Sequence, residues 1–184
     1  MKRILKHLLW IIPLIIVIVI ISLVAYAATA RSSDIRYHSR LQKTLRVSSN
    51  SFQDQQEMPW TGAPAGTNSY ALIALDWDAP SPSLRLFPVV HWILYNIPAD
   101  TGEIPQNSTN ASLTPRNIVS GLNISGQPGY MPPCPPLGTH RYEFRVYSLD
   151  VVSIQPSTND KAGVMSAMDG HILAYGELVG LNRP

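Results

Sequence analysis

Residues Leu8 to Ala28 read LLWIIPLIIVIVIISLVAYAA, an uncharged apolar run of about the 20 residues a helix needs to cross the hydrocarbon core of a bilayer. A segment of this kind belongs in a membrane, at least transiently. Lys2, Arg3 and Lys6 stand just before it, and the positive-inside bias keeps the N-terminus in the cytoplasm and carries everything after Arg31 across. Small residues at Ala25-Tyr26-Ala27 and Ala28-Thr29-Ala30 fit the small-x-small pattern of signal-peptidase sites. The length of the run, by contrast, exceeds a usual signal core and favours retention as an anchor. Residues 1–30 therefore read as a signal anchor or signal peptide. Residues 31–50, rich in Ser, Arg and Gln, read as a polar tether, and 51–184 as the folded domain. The expected location is membrane-anchored with the domain on the extracytoplasmic (periplasmic or extracellular) side, or exported after cleavage.

With the three leading cations set apart, 11 basic residues stand against 12 acidic ones. A near-neutral domain lacks the clustered basic face that binding to a duplex requires, so no nucleic-acid partner is expected. Cys134 is the only cysteine, which excludes an intramolecular disulfide, a cysteine-based zinc cluster and a lipoprotein anchor at the leader. The core must hold the domain by itself.

From Ser51 onward prolines and glycines punctuate short apolar runs, the signature of a mainly β domain with long loops and few helices. Ser69 to Leu75 (SYALIAL) reads as a strand ending in DWDAP, where Pro80 and Pro82 cannot continue a ladder. Val89 to Ile97 (VVHWILYNI) is apolar on both faces and reads as a strand covered on both sides. His140 to Leu149 (HRYEFRVYSL) alternates, with Arg141, Glu143 and Arg145 on one side and His140, Tyr142, Phe144 and Val146 on the other. Between them, 105–136 reads as loop with at most a short strand near Asn117 to Leu122. Its sequons at Asn107, Asn110 and Asn123 read first as turn formers. Asn159 to Met168 fits a short helix capped at Thr158 or Asn159 and stopped by Gly170, with Val164, Met165 and Met168 inward. Gly170 to Gly180 returns as a last strand.

Four polar positions within this apolar framework call for a reason. Asp76 and Asp78, at i and i+2, project to one face of an extended chain, as ligand acceptors or as caps of the following turn. His91 lies in an otherwise apolar strand, the usual place of a satisfied core histidine. His140, though, starts the alternating strand on the same side as Tyr142, so an imidazole and a phenol point together. Imidazoles titrating near neutrality beside a hydroxyl can receive a phosphate or carboxylate through charge-assisted hydrogen bonds. GYMPPCPPLG, just upstream of His140, is stiffened by four prolines and suits either a preformed wall or a plain connector. Cys134 within it reads as either a small buried hydrophobe, the commoner case, or an exposed thiol.

In order, APAGTNSYALIALDWDAP, HWILYNIPA, GYMPPCPPLGTHRYEFRVYSLD and GHILAYGELVG resemble the bacterial and archaeal branch of the phosphatidylethanolamine-binding proteins, the Raf-kinase-inhibitor-like family. The resemblance runs from about Met58 to Gly180. It implies two antiparallel sheets with a few short helices and a small pocket at one end for phosphate, phosphoethanolamine or similar anions. Asp76, His91, His140 and Tyr142 match pocket residues of the family, and Asp78 with Pro80 matches the rim. Trp77 stands where relatives carry proline, 81–88 (SPSLRLFP) falls on a variable loop, and the stretch before Trp60 lacks the family's Ser-Pro-x-Leu pattern.

The expected function is a non-catalytic binding protein for phosphate or phospholipid head groups, with a possible protein partner and with the membrane contacted through the N-terminal segment. Two alternatives are an inhibitor of an envelope or secreted protease, and a metal-assisted hydrolase using Asp76, His91 and His140. The hydrolase gains no support from motif spacing, because H-E-x-x-H and G-x-S-x-G are both missing from the sequence. No catalytic residue, metal ligand or cofactor is assigned.

Overall fold

The structure, a computed structural model, describes residues 2–49 and 58–184, with side chains from Trp10 onward. Residues 51–57, the start of the expected domain, lie outside the described residues. Strands β1 (Arg46–Val47), β2 (Met58–Thr61), β3 (Ser69–Asp76), β4 (Pro80–Ser81) and β5 (Leu84–Arg85) are followed by β6 (Val89–Pro98), β7 (Glu103–Ile104), β8 (Val119–Ser120), β9 (His140–Leu149) and β10 (Ile172–Asn182). Among the described residues, helices α1 (Lys2–His38), α2 (Asn110–Leu113) and α3 (Lys161–Met168) complete the elements, with one 3-10 turn at Thr114–Arg116.

An antiparallel five-stranded sheet in the order β10-β9-β3-β6-β8 forms the centre, and a three-stranded sheet, β1-β2-β7, faces it. Strands β4 and β5 form a separate hairpin. Every residue of β3 is buried, because both faces of the central sheet are covered. On one face Leu72, Ala74, Trp92, Leu94, Phe144 and Val146 pack against Met58, Trp60 and Ile104 of the smaller sheet. On the other, Ile73, Ile93 and Tyr147 pack under Val164 and Met168 of α3. Burial of a single Leu or Ile side chain is worth about 1.5–3 kcal/mol, so these two layers account for a core without covalent staples.

Strands β3, β6, β9 and β10 match the sequence reading to within two residues at either end, and β9 matches at both ends. The C-terminal helix is capped one or two residues later than expected. The Asp160 side chain accepts a hydrogen bond from Gly163 N at 2.9 Å, and Thr158 supports it by donating to the same carboxylate. Gly170 follows in the left-handed region (φ +82), which ends the helix where expected. Asn123 is a turn former, its Oδ1 accepting from Ser125 N at 2.9 Å.

The polar tether is not what the structure shows for its first part. Helix α1 continues without a break to His38, and its final turns lie on the central sheet. Asp34 meets Arg145 at 2.6 Å, and His38 Nε2 lies 2.8 Å from the Tyr147 hydroxyl. The chain then stays docked, with Leu45 N donating to Tyr175 O and Tyr175 N to Gln42 O. The same docking buries a charge. Arg145, on the nominally polar side of β9, is buried because Asp34, Glu143 and Glu177 surround it under the helix. Burial opposes the guanidinium charge, but Tyr147, Asp34 and Glu143 more than offset it and Arg145 is held more basic than usual.

Candidate functional site

The site lies where β3, β6 and β9 end together. Asp76, the last residue of β3, is paired with Tyr142 of β9 on one side and Val89 of β6 on the other. Paired residues of neighbouring strands share a face, so the Asp76 carboxylate and the Tyr142 phenol emerge side by side. Two residues earlier in β9, His140 emerges on that same face. Its Nδ1 lies 2.7 Å from Asp76 Oδ2 and its Nε2 lies 3.1 Å from the Leu137 carbonyl.

His91 reaches the group by a different route. Strand β3 pairs Ala74 with Trp92 but Leu75 with Val90, which leaves His91 as the extra residue of a β-bulge. Regular alternation would send His91 to the face opposite Trp92. The bulge turns it toward the Trp92 face, where its ring meets Tyr142 edge-on with centroids 5.1 Å apart. The Tyr142 ring in turn stacks on His140 at 6.4 Å.

The four expected inner residues are therefore together, and none is more than 4% exposed. His91 Nδ1–H donates to Met131 O at 2.8 Å, while its Nε2 is buried with no protein partner. Burial pushes the His91 imidazole below its ordinary pKa, opposed by the Met131 carbonyl and by Asp76 and reinforced by His140. Burial also pushes the Tyr142 hydroxyl well above its ordinary range, with Asp76 adding to the effect, so it remains a protonated donor. The proline-rich loop covers this cluster from outside, contributing the Met131 and Leu137 carbonyls.

Asp78 and Pro80 stand differently. The Asp78 backbone N–H donates to Asp76 Oδ1 at 2.6 Å, and the chain turns so that the two carboxylates serve opposite faces of β9. Asp78 is gripped by Arg141 Nε at 2.8 Å and Nη2 at 2.7 Å, and by Arg85 Nε at 2.9 Å. Burial alone would raise its carboxyl, but the Arg141 hydrogen bonds and Arg85 hold it below the usual carboxylate range. The expectation that both acids face one way fails because the Asx turn reverses the chain between them. Asp76 both caps that turn and orients His140. Pro80, preceded by a cis peptide, begins the β4–β5 hairpin. Pro82 of that hairpin lies against Gly138, which precedes His140 by two residues. Trp77, between the two acids, is buried under the other face of the sheet with Lys161 Nζ 4.9 Å above its ring.

Cys134 is exposed, the less common of the two readings of a lone cysteine, although the adjacent Pro135 is buried. Among the described residues, no cluster of three or more His, Cys, Asp and Glu is placed to hold a metal ion. His91 and His140 each direct a ring nitrogen at a backbone carbonyl instead.

A mainly β core thus carries a buried acid, two imidazoles and a phenol at the end of its central sheet. The chain belongs to the phosphatidylethanolamine-binding protein family, whose model matches residues 31–183. A UPF0098 protein of Methanothermobacter thermautotrophicus is 42% identical over 127 residues, covering 68% of this chain and 80% of the relative. One from Aquifex aeolicus is 34% identical over 157 residues, covering 76% and 88%. Among solved structures, a phosphatidylethanolamine-binding protein homologue from Chlamydia trachomatis is similar with a TM-score of 0.64 and 31% identity, covering 78% of this chain and 99% of that one. Escherichia coli YbcL is similar with a TM-score of 0.65 and 25% identity, covering 77% and 99%.

Proposed function

We propose that this protein is a non-catalytic binding protein whose pocket takes a phosphate-bearing group, either a free anion or a phospholipid head group, beside His91, His140 and Tyr142. The observation that carries the reading is the His91 Nε2 atom, buried without a partner. A buried polar atom left unsatisfied costs about 1–3 kcal/mol; a ligand P–OH donating to Nε2, or a phosphate oxygen accepting from the ring once Nε2 is protonated, would remove that cost. The Tyr142 hydroxyl, held protonated, stands beside it as a donor. Asp76 fixes the orientation of His140 and brings a negative charge near the ligand. That charge favours a guest which also carries a proton or an ammonium, as a hydrogen phosphate or phosphoethanolamine does.

In the same reading the apolar part of α1 is a retained signal anchor, with its cationic start in the cytoplasm and the domain on the extracytoplasmic side. The described part of that helix, Trp10–His38, is long and apolar enough to cross a membrane. The 31–38 stretch that would follow a cleavage site is integral to the fold rather than a linker.

Thermal unfolding with millimolar phosphate and phosphoethanolamine tests the pocket. Both ligands are expected to raise the midpoint of the wild-type protein and to leave His91→Ala and His140→Ala unchanged. A wild-type midpoint insensitive to either ligand rejects the reading.

A further inference from the structure

We infer that the pocket end of the domain is seated on the outer surface of the same bilayer that α1 crosses, through the β4–β5 hairpin and the proline-rich loop. The inference rests on α1 being a retained span and not on the identity of the pocket's ligand.

The first observation is direction. Arg31 approaches Asp78 at 4.0 Å, Asp34 meets Arg145, and His38 meets Tyr147. Asp78 is in turn bound to Arg141, so successive turns of α1 track β9 from its His140 end toward Leu149. Followed back toward its N-terminus, the helix leaves the domain at the pocket end. The opposite end of β9, where Val152 is exposed, faces away from the membrane.

The second observation is length. Every residue from Trp10 to Tyr26 is exposed, yet the hairpin already touches the helix at its membrane-facing end. Val24, Ala27 and Ala28 line a cleft of about 280 Å³ with Pro82 and Phe87. From Lys6, the last cation before the apolar run, to Val24 the helix rises about 27 Å at 1.5 Å per residue. The hydrocarbon core is about 30 Å thick, so it extends up to the level at which the hairpin meets α1. The hairpin cannot stand clear of the bilayer while the apolar run is covered.

The third observation is composition. Leu84, Phe87 and Leu137 are exposed at this end, an apolar rim beside the pocket loop. Arg31 and Arg85 line the same cleft as Val24 and Phe87, which sets apolar side chains beside guanidinium groups as the acyl-to-headgroup boundary requires. A ligand entering the pocket then comes from the lipid surface rather than from bulk water.

Depth-dependent quenching on the full-length chain tests this. Single cysteines are placed at position 17, 87, 137 or 152 (Val17→Cys, Phe87→Cys, Leu137→Cys, Val152→Cys) on a Cys134→Ser background. Each is labelled with a fluorophore and reconstituted into phosphatidylcholine vesicles brominated on the acyl chains. For side chains immersed about 5–10 Å at the headgroup boundary, emission from positions 87 and 137 is expected to fall by roughly half. Position 17 is expected to be quenched more strongly and position 152 not at all. Quenching at 17 with none at 87 and 137 overturns the seating while leaving the anchor intact. No quenching at 17 overturns the anchor and the seating with it, and quenching at 152 equal to that at 87 overturns the orientation. Addition of His140→Ala to the same set leaves the pattern unchanged, which separates the seating from the pocket.

Discussion

The Asp76 carboxylate lies 2.7 Å from Nδ1 of His140, 64 residues away in the chain and fully buried. Strand pairing between β3 and β9 sets that distance, and the carboxylate also accepts the Asp78 backbone N–H. One side chain therefore holds both the His140 imidazole and the turn that leads to Asp78 and Pro80.

Asp76→Asn keeps the shape but removes the charge from both contacts. The variant is expected to lose about 1–3 kcal/mol of stability and most of the stabilisation by phosphate proposed for the wild type. Denaturant unfolding with and without phosphate measures both. Unchanged stability and an unchanged ligand response would show that the pair does not position the ring.

Proton linkage at His91 gives a pH dependence with a definite sign. Burial depresses its folded-state pKa, while an unfolded imidazole titrates near 6.5. The unfolded state therefore binds the extra proton first, and His91 costs stability as pH falls below about 6.5. A bound dianion favours the charged ring and reverses this cost. Sulfate, which does not itself titrate in this range, is expected to raise the unfolding midpoint more at pH 5.5 than at pH 7.5, with the difference absent in His91→Ala. An equal shift at both values would separate the anion from His91.

Arg145 is buried among Asp34, Glu143 and Glu177. Arg145→Ala leaves buried carboxylates without their cation and is expected to cost about 3–5 kcal/mol, measured by denaturant unfolding. Because Asp34 is one of those partners, the end of α1 is expected to loosen as well. Increased proteolysis within 31–45 reads that out. Retained protection there would show that the ion pairs do not hold the helix.

Gly176 of β10 faces the segment after α1, and a Cβ there would collide with the Leu45 carbonyl. Gly176→Ala is expected to cost about 1–3 kcal/mol, in the range of overpacked cores, and to expose the amides of Leu45 and Tyr175 to hydrogen exchange. Wild-type exchange at both would mean that the packing yields without cost.

Much of the site was legible in the sequence. The alternation of His140, Tyr142, Phe144 and Val146 is a direct record of which side of β9 meets the core. The D-W-D-A-P and H-R-Y signatures marked the strand ends that converge. Three features were not legible, each for a physical reason. The bulge that turns His91 onto the Tyr142 face is a slip in pairing between two strands, and alternation within one strand carries no trace of it. Asp78 was assigned to the face of Asp76 because i and i+2 coincide only while the chain stays extended, and the turn begins between them. The burial of Arg145 is not legible in its own strand because its covering element lies more than 100 residues earlier. A signal for that cover did exist. Ala27, Arg31, Asp34 and His38 recur at helical spacing, a stripe that continues the apolar helix into the polar stretch taken for a tether.

The central claim is that a phosphate-bearing group binds against His91 and His140, and imidazole nitrogen NMR of the full-length protein in micelles tests it most directly. Titration with phosphoethanolamine is predicted to shift the Nε2 resonance of His91 saturably, with a smaller change at His140 and none at the half-buried His171, which lies against Asp150. Saturable binding that leaves both buried rings unmoved, or no binding at all, would contradict the account.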